Sequence, residues 1–261
     1  MESFEDFIQL INSIIRRKKF IYEEFYTLLN GIKGIPIYNY TIQKGQLFYR
    51  SRVNPKSENY YLFKDLIYPE QKFVTDFGRT NRPGQILLYL SDTAETSFSE
   101  VLPKDFKETI ELTTTQWVID ENIKVSIIPD FDNIKMKELI SKVSGDSKPN
   151  QIEFLKIINF YFRTISLDGN YNYAYEITSS FSNARLAESR REDLITEGTL
   201  FTSVQKNQGF NLSLNPETVL DKKIRITDIN KSYINKLGNN LTYSVEKPLH
   251  IDFKNETIKW K

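Results

Sequence analysis

The turn FGRTNRPG at 77–84 sets Arg79 and Arg82 between Gly78 and Gly84. Two guanidinium groups beside flexible backbone offer charge-assisted, bidentate donors to a phosphate or diphosphate. A turn carrying two solvent-facing arginines has the same composition, and the local sequence leaves both readings open. Glu100 ends a segment of small and apolar residues that follows the apolar run QILLYL at 85–90. A carboxylate at the edge of a cleft stabilises a developing positive sugar or activates a nucleophile. An exposed helix acid would look the same. Tyr89, inside QILLYL, is a core residue unless its face opens into a pocket. Neither GxGxxG nor GK[ST] is present, so the common nucleotide-phosphate fingerprints are missing. His250 is the one histidine and there is no cysteine, which excludes a histidine-rich or thiolate metal site, a thiol nucleophile and disulfides. An oxygen-only cation site is not excluded.

These side chains need elements to hold them. Residues 3–30 read as one helical prefix: Ser3 and Asp6 give a box-like start, and Phe4, Phe7, Ile8, Ile11, Ile14 and Ile15 recur at spacings of three and four. That apolar stripe requires cover, from the main domain or from a second copy of the chain. Strand candidates lie at 46–53, 85–90, 109–119, 124–128, 199–204 and 210–214. Helix candidates lie at 93–101, capped by Ser91 or Asp92, and at 135–143, 151–165 and 172–190. KIRITDI, LTYSVE and LHIDF near the C-terminus alternate as strands do. Short strands among scattered helices, without regular βαβ spacing, predict an α+β (mixed α/β) fold. The organisation expected is a helical prefix at 1–44, a catalytic domain at 45–222 and a β-rich extension at 223–261 packed on the same core.

Composition narrows the setting. The 261 residues are 39% hydrophobic and 13% aromatic, with 18 Phe and 15 Tyr, which argues for packed layers and against disorder. Formal charge is +1, giving no global drive toward nucleic acid, and RRKK at 16–19 is the one compact basic block. Acidic Glu2, Glu5 and Asp6 stand where a secretory signal needs positive charge, and no apolar run approaches the roughly 18 residues of a membrane span. The expectation is a cytoplasmic protein with no membrane or direct nucleic-acid partner.

Taken in order, FYRSR at 48–52, FGRTNRPG at 77–84, LLYLSDTAETSFSEV at 87–101, YEITSS at 175–180 and LFTSVQKNQGFNLSL at 200–214 resemble the RES domain family, named for its arginine, glutamate and serine. The resemblance covers roughly 45–222. It implies an ADP-ribosyltransferase-like core and an enzyme that consumes free NAD+ at its nicotinamide–ribose bond, by hydrolysis or phosphorolysis. Such an enzyme takes NAD+ as substrate, inorganic phosphate as a co-substrate in the second case, and no cofactor or metal. Many members are toxins held by a cognate antitoxin, which is thus an implied partner beside a homodimer. Macromolecular ADP-ribosylation and a non-catalytic NAD-binding or structural role are the alternatives.

By the same resemblance, the first arginine falls on Arg50, with Arg52 as its neighbour. The glycine–arginine turn falls on Gly78 and Arg79, the aromatic residue on Tyr89, the glutamate on Glu100 and the serine on Ser203, with Asn211 organising the pocket. Glu100 would stand beside the charge that develops on ribose as nicotinamide leaves. Arg50 and Arg79 would grip the pyrophosphate, Tyr89 would pack on the nicotinamide or ribose, and Ser203 would orient the sugar or Glu100. The prefix, the C-terminal extension and the long connection from Arg52 to the 77–84 turn depart from compact members of the family.

Overall fold

A computed structural model describes residues 4–17, 21–31, 38–55, 58–103, 105–143, 148–164, 173–191, 196–206, 208–237 and 240–261. Helices α1 (Phe4–Arg16) and α2 (Tyr22–Gly31) lead into strands β1 (Tyr38–Ile42) and β2 (Leu47–Val53). A short helix α3 (Lys64–Ile67) and a 3-10 turn (Gln71–Phe73) precede β3 (Leu88–Ser91), α4 (Ala94–Val101), β4 (Ile110–Ile119) and β5 (Ile123–Ile127). Then follow α5 (Ile134–Val143), α6 (Pro149–Arg163), α7 (Tyr173–Arg191), β6 (Gly198–Thr202), β7 (Phe210–Leu214) and α8 (Pro216–Leu220). The chain ends in β8 (Ile224–Leu237), β9 (Asn240–Glu246) and the hairpin β10 (His250–Asp252) and β11 (Thr257–Lys259).

The fold is α+β: a mixed sheet of nine strands in the order β1-β5-β6-β7-β3-β2-β4-β8-β9, with the terminal hairpin as a small second sheet. Among the described residues β5 and β6 alone run parallel in it. β4 carries the β-branched run Thr113–Thr115, suited to a pleated surface buried on both faces. It pairs with β2 along seven positions and with β8 along ten, with a bulge beside Trp117. The contrast lies at the middle of the sheet, where β2 and β3 meet through a single pair, Tyr49↔Ser91.

One hydrophobic core runs through the prefix, the central segment and the C-terminal extension, from Phe7 to Trp260. The expected stripe on α1 is covered by the chain itself: Phe7, Ile11, Ile14 and Ile15 are buried, and the Phe7 ring lies 5.3 Å from that of Phe154 on α6. Each such side chain contributes roughly 1.5–3 kcal/mol when fully buried. The single helix expected over 3–30 is instead two helices; Ser3 and Lys18–Lys19 lie outside the described residues. The reason for the second start sits far away in sequence. Glu176 of α7, 2% exposed, accepts hydrogen bonds on one carboxylate oxygen from the backbone N–H of Ile21, at 2.5 Å, and of Tyr22, at 2.9 Å. It thereby satisfies amides that open α2, where negative charge also suits the helix dipole.

Two further boundaries differ from expectation. The cap of α4 is Thr93, whose hydroxyl accepts from the Thr96 amide at 3.1 Å; Ser91 and Asp92 do not serve, because Ser91 still belongs to the ladder of β3. The strand expected over 85–90 begins only at Leu88, since Gln85 is drawn off by its side-chain bonds to Arg82 and Asn183. Among the described residues no helix is long and apolar enough to cross a membrane.

The buried Glu176 contact makes a stability prediction. Glu176→Ala orphans two helix-opening amides and should cost about 2–3 kcal/mol in urea denaturation, whereas Glu176→Gln keeps an acceptor and should lose clearly less.

Candidate active site

Because β2 and β3 share one pair, the strands part beyond Tyr49 and the sheet opens. A cavity of about 310 Å³ occupies the gap, lined by residues of β2, the 78–81 turn, β3, α4, α7, β6 and β7. Arg50, Gly78, Arg79, Tyr89, Glu100 and Asn211 all line it. Arg52 and Ser203 do not.

Arg50 follows the single bridging pair directly. Its Nε–H donates to the carbonyl of Leu66 at 3.2 Å and Nη1 to that of Tyr89 at 3.0 Å. These use two of the five N–H donors of a guanidinium and leave three. Burial, and after it the charge of Arg52, push Arg50 down to about 9, so it still carries its proton at neutral pH. Among the described residues no carboxylate forms an ion pair with it. A desolvated cation held by neutral carbonyls is an attractive place for an anion. Arg52 points its interactions elsewhere, toward Tyr60 and Asp65, and burial lowers it too.

Arg79 is braced more firmly than a freely gripping arginine. Nη1 donates to the carbonyls of Phe162 and of Thr164, the latter at 3.0 Å, and so closes the C-terminus of α6. Its guanidinium lies 5.1 Å from the centre of the Tyr175 ring. Burial lowers this group, while Tyr175 and Glu100 act the other way. The turn that carries Arg79 requires Gly78: a Cβ there would stand 2.2 Å from Asn81 Oδ1. Gly84, at φ +76°, supplies the left-handed backbone that closes the same loop.

Tyr89 fastens that turn. Its hydroxyl accepts from the Thr80 amide at 3.2 Å, shares a hydrogen bond of 2.7 Å with the Thr80 hydroxyl, and donates to Asn81 Oδ1 at 2.7 Å. One donor and two acceptors are thereby all used. Burial raises the phenol to about 12, so it stays neutral across the physiological range. The ring lines the cavity, but the hydroxyl is a positioning group.

Glu100 stands in the last turn of α4. One oxygen, Oε1, accepts from the Ser203 hydroxyl at 2.6 Å and from Asn211 Nδ2 at 2.7 Å. Both donors are held in turn. Ser91 donates to Asn211 Oδ1 at 2.8 Å, turning the amide so that its nitrogen faces Glu100, and the Lys206 amide donates to Ser203 Oγ at 3.0 Å. Ser203 is fully buried, so it reaches the cavity only through Glu100. The second carboxylate oxygen has no hydrogen-bond partner among the described residues. The result is a carboxylate fixed by one edge and free at the other.

Several contributors carried no signal that sequence reading used. Asn81 and Thr80 sit in the quoted turn, but only the fold brings Tyr89 to them. Ser51 on β2 and Ser97 on α4 meet at 2.7 Å beneath the opening and span the two halves of the sheet. A larger cavity, about 710 Å³, opens between α2, α7 and the 82–85 loop; its charged pair, Glu23 and Arg82, face each other at 3.9 Å. It holds none of the convergent groups above, and chemistry follows those groups more than volume. No cluster of three or more His, Asp or Glu side chains able to hold a metal occurs among the described residues. The sequence matches no protein-family model and no curated protein.

The part given to Tyr89 is testable without any substrate. Tyr89→Phe leaves the Thr80 amide and Asn81 side chain without their partner, and should cost about 2–3 kcal/mol. Hydrogen exchange should show the Thr80 amide losing protection well before the strands do.

Proposed function

We propose that this chain cleaves NAD+ at its nicotinamide–ribose bond, as a glycohydrolase with water or a phosphorylase with inorganic phosphate as acceptor. One observation carries the reading: a carboxylate anchored through Oε1 shares a single cavity with an arginine, and among the described residues the second carboxylate oxygen has no partner and the arginine no counter-ion. A diphosphate suits Arg50, and a sugar becoming cationic suits Glu100. The resemblance to the RES domain family supports the same substrate, and extends the proposal to an ADP-ribosyltransferase-like core and to a toxin with a cognate antitoxin.

The chemistry follows from charge. As the bond between C1′ of ribose and the pyridinium nitrogen breaks, its electron pair stays with nicotinamide, which leaves neutral. The positive charge passes to C1′ and the ring oxygen. Glu100 lowers the barrier to the extent that it interacts more strongly with that cation than with the intact substrate. Ser203 and Asn211 hold the carboxylate before the charge develops, so little reorganisation accompanies the step. Substrate filling the cavity displaces water and strengthens the attraction. An oxygen of water or phosphate then bonds to C1′ and, from water, a proton is released.

Purified protein incubated with NAD+ should release nicotinamide, and product masses in phosphate-containing and phosphate-free buffer should distinguish the two acceptors. Glu100→Gln keeps the two anchoring bonds yet removes the charge; it should fold normally and lose about a hundredfold to a thousandfold in kcat. Arg50→Ala should act mainly on substrate capture. A folded parent protein that releases no nicotinamide in either buffer would exclude the reading.

A further inference from the structure

The 310 Å³ cavity lies at the small end of the ~300–1,000 Å³ that holds a drug-sized ligand. A dinucleotide with two nucleoside halves must extend beyond it. A second cavity of about 270 Å³ adjoins, and the two share Arg50, Gly78, Asn81 and Tyr89 as common wall. The unpaired guanidinium of Arg50 therefore stands where the two spaces meet. That is the place of the pyrophosphate in a molecule whose halves enter opposite sides.

The second cavity has its own chemistry. Phe73 and Phe77 supply aromatic surface, and Phe73 is 66% exposed with no core role. Apart from Arg50, its one charged lining residue is Asp76. Thr75 donates to Asp76 Oδ2 at 2.8 Å, and Oδ1 has no partner among the described residues. Nearby cations have acidic partners: Lys72 Nζ lies 2.7 Å from Glu70 and 4.9 Å from the centre of the Phe73 ring, and Arg82 faces Glu23.

Resting on the NAD+-cleavage reading, we infer that this cavity takes the adenosine half of the substrate, with Phe73 as a base platform and Asp76 as a specificity-determining residue that selects NAD+ over NADP+. A carboxylate accepts hydrogen bonds from the vicinal hydroxyls of the adenosine ribose. The same carboxylate repels a 2′-phosphate, and Arg50, the one cation lining the cavity, is taken up by the pyrophosphate. Exposure limits the effect, because water screens the charge.

The test compares kcat/KM for NAD+, NADP+ and nicotinamide mononucleotide, which lacks the adenosine half. The parent should prefer NAD+ to NADP+ by about tenfold or more. Asp76→Asn should shrink that ratio by about tenfold, mostly by improving NADP+. Phe73→Ala should raise KM for NAD+ about tenfold, the scale of losing one base–aromatic stack, and leave the mononucleotide unchanged. Both residues are exposed, so the variants should fold like the parent. An unchanged NAD+/NADP+ ratio in Asp76→Asn, or equal losses for NAD+ and the mononucleotide in Phe73→Ala, would overturn the assignment while leaving NAD+ cleavage intact. A parent inert toward all three compounds would remove the cleavage reading and this assignment together.

Discussion

Across the middle of the nine-stranded sheet, two well-paired halves are joined by Tyr49↔Ser91 and nothing else in the ladder. A sheet that stayed paired here would bury the backbone of β2 against β3 and leave no room for a ligand. Because the strands part, the backbone beyond Tyr49 needs other company. β4 takes one edge of β2, while α4 crosses the opening and Ser97 meets Ser51. The same parting exposes Arg50 from one half and, by way of α4, Glu100 from the other. The catalytic proposal thus grows from an interrupted hydrogen-bond ladder, where Arg50 reaches the Tyr89 carbonyl and Ser51 meets Ser97 in place of further pairing.

The two charged groups are kept in different ways. Arg50 is desolvated and braced by carbonyls, with no carboxylate paired to it among the described residues. Glu100 is restrained at one oxygen by neutral donors, which fix direction without cancelling charge. A direct ion pair between them would have spent both charges on each other. Supporting residues do the restraining from outside: Ser91 turns Asn211, the Lys206 amide braces Ser203, and Tyr89 ties down the turn that bears Arg79.

Legibility in the sequence followed the range of the interactions. β7 was readable to its ends, because FNLSL alternates between clear breakers, and α6 was readable from its density of apolar residues. The mixed α+β class needed only such local patterns. α2 had no readable start, since its cap partner Glu176 lies 155 positions from Ile21. β1, YNYTI at the sheet edge, lacked a run of apolar residues to announce it. The types expected at the site, Arg50, Tyr89, Glu100, Ser203 and Asn211, could be named from motif order. That Ser203 acts from beneath Glu100, and that the Tyr89 hydroxyl is consumed by a turn, are facts of packing between segments 8 to 103 residues apart. No local spacing encodes them.

The capping of α2 by Glu176 also orders events during synthesis. Some 155 residues separate the amides of Ile21 and Tyr22 from the carboxylate that completes their helix. At ribosomal speeds of ~5–20 residues per second, that interval lasts roughly 8–30 s. Through that time the apolar faces of α1 and α2 lack α6 and α7 and must wait uncovered, open to chaperones or to other nascent chains. Asn211, which orients Glu100, emerges later still. Helices α1 and α2 are therefore made well before the elements that cover them, and the carboxylate is aligned only once β7 has followed.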